Sequence, residues 1–272
     1  MFRTLRKVGV LPICLLLVGS LYWWLKQIQA QRAPSHYVIA QAGPQKPSGG
    51  PPILFLRLPG KRGIINSANS RGQEVGGYAP SGASDSHAVL WEQGKMQDLG
   101  TLGGRWSVAY HINAQGEVCG DAMTRDHTLH AFLWRQGKMQ DLGTLGGKIS
   151  HAYCLNDRGQ VVGESDTGDG VNHAFLYSEG RMKDLGTLGG GMSVAYSINN
   201  RGQVVGYAED RVNLSTVAFV WQKGQMNNLN PLLLTRTNWR LIEGREINDA
   251  GEISVLGEQN RRLQSFLITP SP

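Results

Sequence analysis

Three histidines, His87, His130 and His173, stand 43 residues apart, and each is followed eleven residues later by an aspartate: Asp98, Asp141 and Asp184. Imidazole beside carboxylate is the chemistry of zinc ligation or of proton transfer. The even spacing argues against a shared ion. Equivalent positions of neighbouring repeats lie too far apart for ligands at about 2 Å each. A hydrogen-bond network inside each repeat, with His, Asp, Ser and Trp as members in the manner of WD-type propellers, explains both sets, because a repeated polar slot implies a repeated partner. These six residues are therefore expected to serve structure, with no metal and no cofactor.

Other candidates are weaker still. Asp166 and Asp169 belong to the most acidic loop, residues 164–170, and could offer calcium their oxygens. Their spacing does not match a twelve-residue cation loop, and no closing bidentate Glu follows. Gly-Thr-Leu-Gly-Gly occurs at 100–104, 143–147 and 186–190. It lacks the Lys-Ser/Thr ending of a phosphate loop, and no helix follows to supply a dipole, so it reads as a turn between units. No serine, cysteine or carboxylate pair sits in a recognisable nucleophile or acid–base context. Carboxylates of different repeats could still meet across a central channel.

The elements that position these residues follow from the 43-residue period, which marks a repeat architecture. The best-formed unit splits into four short strand signals. Residues 150–155 lead through the Asn156-Asp157-Arg158-Gly159 turn to residues 160–163, then a variable loop to residues 173–177, then a tight turn at Glu179-Gly180 to residues 182–185. No window holds a helical apolar period for three turns, so the domain is all-β. Four antiparallel strands per repeat of this length is the arithmetic of a β-propeller blade. Small first-strand residues (Ser107, Ala109, Ser193, Ala195) suit a crowded strand beside a central channel, and aromatic third-strand residues (Phe132, Trp134, Phe219, Trp221) suit the space between blades. Asn-x-x-Gly turns at Asn69, Asn113, Asn156, Asn199 and Asn248 count five blades. The fifth lacks a fourth strand, while an orphan strand signal at 53–58 precedes the first. The expectation is a five-bladed propeller over 53–270 closed by that N-terminal strand, leaving no open edges. An open β-solenoid is the alternative.

The chain has 272 residues, 36 of them glycine, and a net charge of +6. Four of its 27 basic residues (Arg3, Arg6, Lys7, Lys26) lie in the first thirty positions, which hold no acid. The rest carries 23 basic against 21 acidic residues. No basic run remains to track a phosphate backbone, so nucleic acid is not an expected partner. The basic flank instead precedes an uncharged run, 8–25, ending in Tyr22, Trp23 and Trp24. Eighteen helical residues rise about 27 Å, enough to span a bilayer core. Residues 1–26 are thus a membrane anchor or a signal segment, and their length favours the anchor. Either exports the remainder. Residues 27–52, rich in Gln, Pro and Gly, read as a tether. Cys119 takes the slot of Val75, Val162 and Val205, and Cys154 that of His111 and Ser197. A disulfide between them would be permitted outside the cell, but one irregular pair is thin evidence.

Several segments are familiar as a set: His130-Ala131-Phe132-Leu133-Trp134, residues 139–147 (Met-Gln-Asp-Leu-Gly-Thr-Leu-Gly-Gly), residues 198–206 and the tail with Leu229-Asn230-Pro231, Trp239 and Asn248-Asp249-Ala250-Gly251. Over residues 58–270 the chain resembles the bacterial HAF family of extracellular repeats. The resemblance implies an exported or surface protein and no particular reaction. Val217, where the family has His, and Gln264-Ser265 depart from its pattern.

In such a blade the Asn-x-x-Gly and Gly-x-Met turns share one face. The opposite face carries the second-to-third loops and the interblade links, which vary most, and loops on a rigid scaffold are where binding groups concentrate. Arg105, Trp106, Lys148, Asp126, Asp166 and Asp169 are the candidate contacts there; unconstrained drift is the competing explanation. The leading reading is a membrane-tethered, extracytoplasmic, non-catalytic binding or scaffold module for an envelope protein or a glycan. The alternative is a hydrolase or lyase with a site in the central channel. Inward carboxylates and His would favour the alternative, and an apolar or Ser/Ala-lined channel the module.

Overall fold

Each of the first four repeats folds as one four-stranded antiparallel sheet of short strands joined by tight turns, the second and third strands buried almost continuously between neighbouring sheets. A computed structural model describes residues 37–39, 63–79, 85–212, 214–234 and 237–271. The first strand met is β1, Tyr37–Ile39. Sheet 1 holds β2 to β5 (Gly63–Ala68, Glu74–Tyr78, His87–Glu92, Lys95–Gly100), and sheet 2 holds β6 to β9 (Gly103–Ile112, Val118–Thr124, Leu129–Arg135, Lys138–Asp141). Sheet 3 holds β10 to β13 (Gly146–Leu155, Val161–Thr167, Asn172–Ser178, Arg181–Asp184), and sheet 4 holds β14 to β17 (Gly189–Ile198, Val204–Asp210, Thr216–Gln222, Gln225–Asn228). Sheet 5 is β18 to β20 (Arg240–Ile247, Ile253–Gln259, Arg262–Pro270) with β1 outermost. First strands of successive sheets lie against one another, and the first turns of all five border one cavity of about 350 Å3. That is the radial arrangement of a propeller rather than of a solenoid.

Two turn types hold the strands. In the first, Gly159 donates its N–H to the Asn156 carbonyl (3.1 Å) and takes a positive φ of 68°, while Asn156 Oδ1 accepts the Arg158 and Gln160 amides. The second is a two-residue turn with both residues left-handed, as at Glu179 (54°) and Gly180 (80°), whose twist matches the flanking strands.

The Asn side chains do more than close turns. Nδ2 of Asn69, Asn113, Asn156 and Asn199 each donates to the carbonyl of the next turn's Asn at 2.9–3.0 Å, linking sheet to sheet. Buried amides so fully used are what the burial of Asn113, Asn156 and Asn199 (3–4 % exposed) requires. Apolar clusters fill the same junctions. Cys119, Leu133 and Leu142 of sheet 2 meet Ala152, Leu155 and Phe175 of sheet 3, and Phe132 and Trp134 pack toward sheet 1.

Two expectations need correction. Residues 53–58 lie outside the described residues, and the outer position of sheet 5 belongs to β1, whose Tyr37, Val38 and Ile39 pair with Pro270, Thr269 and Ile268. A strand therefore sits inside the stretch read as a tether. The junction of sheets 5 and 1 also differs from the other four. Asn248 Nδ2 donates to Glu252 and, among the described residues, not to Asn69. Ile65, Val89 and Trp91 form a cluster without residues of sheet 5. Sheet 5 carries Ser254 and Ser265 where sheet 4 has Val205 and Ala218, so it offers less apolar surface there.

Candidate functional site

The first strands carry a β-bulge at a fixed place. Ala152 pairs with Gly163 and Cys154 with Val162, leaving Tyr153 as the extra residue. The same insertion falls on Asn66, Tyr110, Tyr196 and Arg245, one per sheet. A bulge re-aims its side chain. In four sheets the facing second-strand residue is glycine, and a Cβ on Gly163 would collide with the His151 carbonyl; in sheet 5 Val255 faces Gly244 instead. The bulged side chains converge. Tyr110 and Tyr153 have ring centroids 6.4 Å apart, and Tyr153 and Tyr196 5.7 Å; Tyr207, from a second strand, continues the series at 5.8 Å.

Around this wall lie groups that do not repeat. Second strands place Gly77, Asp121, Glu164 and Tyr207 at one equivalent position in sheets 1 to 4. First strands place Val108, His151 and Val194 opposite the last three. Where neighbouring copies are nearly identical, architecture explains the recurring residue and leaves the exception unexplained. Asp121, 1 % exposed, holds His151 Nδ1 at 2.6 Å, accepts the Ala152 amide at 3.1 Å and is bound by the Tyr110 hydroxyl. Burial pushes its carboxyl up, opposed by the imidazole. The His151 imidazole is raised, chiefly by that hydrogen bond, and stacks on Tyr153. Tyr153 donates to Glu164 at 2.6 Å, and Glu164 also accepts from Asn172 at 3.2 Å. Arg245 Nε lies 3.4 Å from Glu243. Burial raises the hydroxyls of Tyr110, Tyr153, Tyr196 and Tyr207, so they remain donors.

The channel is therefore not lined by Ser and Ala. Ser107, Ser150 and Ser193 are fully buried against the preceding sheet, where each Oγ accepts an amide (Ala88, Ala131, Ala174) and donates to a carbonyl (Gly100, Gly143, Gly186). The wall instead carries acids and a histidine beside the tyrosines. These residues break the repeat rather than follow it. Subtracting one repeat from the next would have exposed Asp121, His151 and Glu164.

The recurring pairs lie elsewhere. His87 Nδ1 is 2.8 Å from Asp98, His130 Nδ1 2.9 Å from Asp141 and His173 Nδ1 2.8 Å from Asp184, between third and fourth strands. Each Asp also accepts the amide of the following glycine, Gly100, Gly143 or Gly186. No Trp takes part in these bonds. Among the described residues no three His, Cys, Asp or Glu side chains are placed to hold a metal ion. Cys119 and Cys154 are buried free thiols.

The six loop-face residues stay dispersed. Arg105, Trp106 and Lys148 sit within β6 and β10, because the first strands begin at the Gly-Gly of the link rather than after it; Asp166 is the penultimate residue of β11. Asp126 and Asp169 are exposed in turns. Arg105 Nε is 4.0 Å from Asp85 Oδ1. Exposed apolar side chains share this face, with Val212 at 85 % and Leu214 at 71 %. At the opposite mouth, the turn asparagines are committed to their relay. Asp157 is engaged too, by Ala114 N and Asn200 Nδ2. His111 borders that mouth with a buried, unpartnered Nδ1, and burial lowers it to about 4.

No protein-family model matches the chain, and no curated protein matches it by sequence. Solved structures similar to it are propellers and propeller-bearing proteins. The β-propeller domain of the Trilobed protease from Pyrococcus furiosus is 11% identical, over 78% of this chain and 64% of that one, with a TM-score of 0.48. TolB from Acinetobacter baumannii is 13% identical over 75% and 51% (TM-score 0.42), and the gluconolactonase XC5397 from Xanthomonas campestris 9% over 89% and 99% (0.37). The chain spans less than two thirds of the first two. At TM-scores below 0.5 these likenesses carry no argument about this chain.

Proposed function

We propose that the protein is a non-catalytic binding module of the HAF type, carried outside the cytoplasm on the 8–25 segment, and that it takes a glycan or an envelope protein's side chain at the axial tyrosine wall. The observation that carries this reading is the bulge. It turns Tyr110, Tyr153 and Tyr196 out of three successive sheets into one partly exposed aromatic surface. Aromatic rings held by a rigid scaffold, with fixed polar groups beside them, are what a binding surface uses to gain area at low entropic cost. Titration calorimetry of the full chain against a panel of neutral, acidic and amino-bearing oligosaccharides tests it. Saturable binding lost in Tyr153→Ala and Tyr196→Ala supports the reading, and binding that ignores both substitutions overturns it.

A specific observation favours the hydrolase or lyase reading as second. An imidazole whose Nδ1 is held by a buried carboxylate presents Nε2 as a base. Against it, Asp121 and Glu164 are already bound by internal donors. Reducing-end release from oligosaccharides that vanishes in His151→Gln would establish it over the binding reading.

A further inference from the structure

We propose that the axial site takes an organic cation, a primary or quaternary ammonium, against Tyr153 and Tyr196 on the Glu164 side. This rests on the reading of the tyrosine wall as a ligand site and names its ligand class. The geometry is the first argument. Successive rings are tilted by 51°, 49° and 51° along the series Tyr110, Tyr153, Tyr196, Tyr207. Near-equal tilts at centroid spacings of 5.7–6.4 Å make the four rings one continuous aromatic wall. A cation within about 6 Å of a ring centroid is attracted by the ring quadrupole, and the attraction grows as water is excluded.

Charge is the second argument. Asp121, Glu164 and Glu243 surround the wall; Arg245 is tied to Glu243, and His151 to Asp121. Among the described residues Glu164 makes no ion pair with a Lys or Arg; it holds the Tyr153 hydroxyl at 2.6 Å, and its basic neighbour is the His151 imidazole opposite, which is itself bonded to Asp121. A phenol donating to a carboxylate has a more electron-rich ring, which strengthens its hold on a cation. A uronate would meet this acid as a like charge, and a neutral sugar would make no use of it. Repetition is the third argument. The tyrosines recur in three sheets, but Glu164 stands where sheets 1, 2 and 4 have Gly77, Asp121 and Tyr207, and unlike Asp121, which ties sheet 2 to sheet 3, its bonds to Tyr153 and Asn172 stay within its own sheet.

The test uses the full chain in detergent, titrated by calorimetry with choline, a glucosamine oligomer, its N-acetylated counterpart and a uronate oligomer. The proposal expects choline or the glucosamine oligomer, or both, to bind at least tenfold more tightly than the neutral and acidic ligands. The two cationic probes separate a small quaternary amine from an amino sugar as the source. Glu164→Gln, which keeps an acceptor for Tyr153 and removes the charge, should weaken that binding about tenfold. Equal or tighter binding of the neutral oligomer, lost in Tyr153→Ala, would overturn the cation while leaving the binding module intact. No binding by any of the four would overturn both. If Tyr153→Ala does not fold, Glu164→Gln decides alone: unchanged affinity for the cationic probe removes the proposal.

Discussion

His151 Nδ1 lies 2.6 Å from Asp121 Oδ2, and the two residues belong to different sheets of the ring. The bond thus fastens the junction of sheets 2 and 3 and fixes the imidazole on Tyr153. Removing one partner of a buried pair costs more than the pair contributes, because the other is left uncompensated. Asp121→Ala should cost about 3 kcal/mol in denaturant unfolding. The sign of the pH effect follows from the raised imidazole. Its contribution is complete below the ordinary histidine value of about 6.5 and is lost as pH rises through the higher folded value. Unfolding midpoints that do not fall across that window in the wild type, or that fall equally in His151→Gln, would contradict this role.

His111 has the opposite sign. Its imidazole is lowered to about 4 by burial, so the unfolded chain binds a proton that the folded chain refuses. Stability should decline as pH falls from about 6.5 toward 4, by up to about 1.4 kcal/mol per pH unit, and then level off. His111→Ser, the residue that Ser197 supplies two sheets on, should flatten this acid limb. A retained slope would place its origin elsewhere.

The turn asparagines offer a comparison within one molecule. Asn156 and Asn248 each bond the side chain and the amide of the residue four places on, but Asn156 also accepts the Arg158 amide and, from a buried side chain, reaches the carbonyl of the following turn. One further buried hydrogen bond is worth about 1 kcal/mol. Asn156→Ala should therefore destabilise by about 1 kcal/mol more than Asn248→Ala in equilibrium unfolding. Equal losses would mean that the relay between sheets carries no energy.

What was legible in the sequence was what repeats. The Asn turns, the His–Asp pairs and the four-strand unit are copied, so spacing alone places them. The axial site is made of what does not repeat, and its geometry depends on a bulge. Alternation read along Ser150-His151-Ala152-Tyr153 assigns sides residue by residue, and an inserted residue breaks that count at Tyr153. Likewise β1 is three residues in a Gln- and Pro-rich stretch. It is too short to show alternation and is recognisable only from the empty place beside Ile268.

That place makes the last prediction. Without β1, β20 would become an unpaired edge, and the side of the cluster that Tyr37 covers, with Leu229, Leu233 and Ile268, would open to water. Tyr37 is fully buried, and burying an aromatic of this size contributes about 2–3 kcal/mol. A chain lacking residues 1–40 should unfold at a lower denaturant concentration than one lacking residues 1–35, and proteases should cut it first between Arg262 and Pro270. Cutting is expected there rather than at the Asn turns, because the relay leaves those turns fastened from sheet 1 to sheet 5. Equal resistance of the two truncated chains would show that sheet 5 needs no fourth strand, and would return the closing role to residues nearer the first repeat.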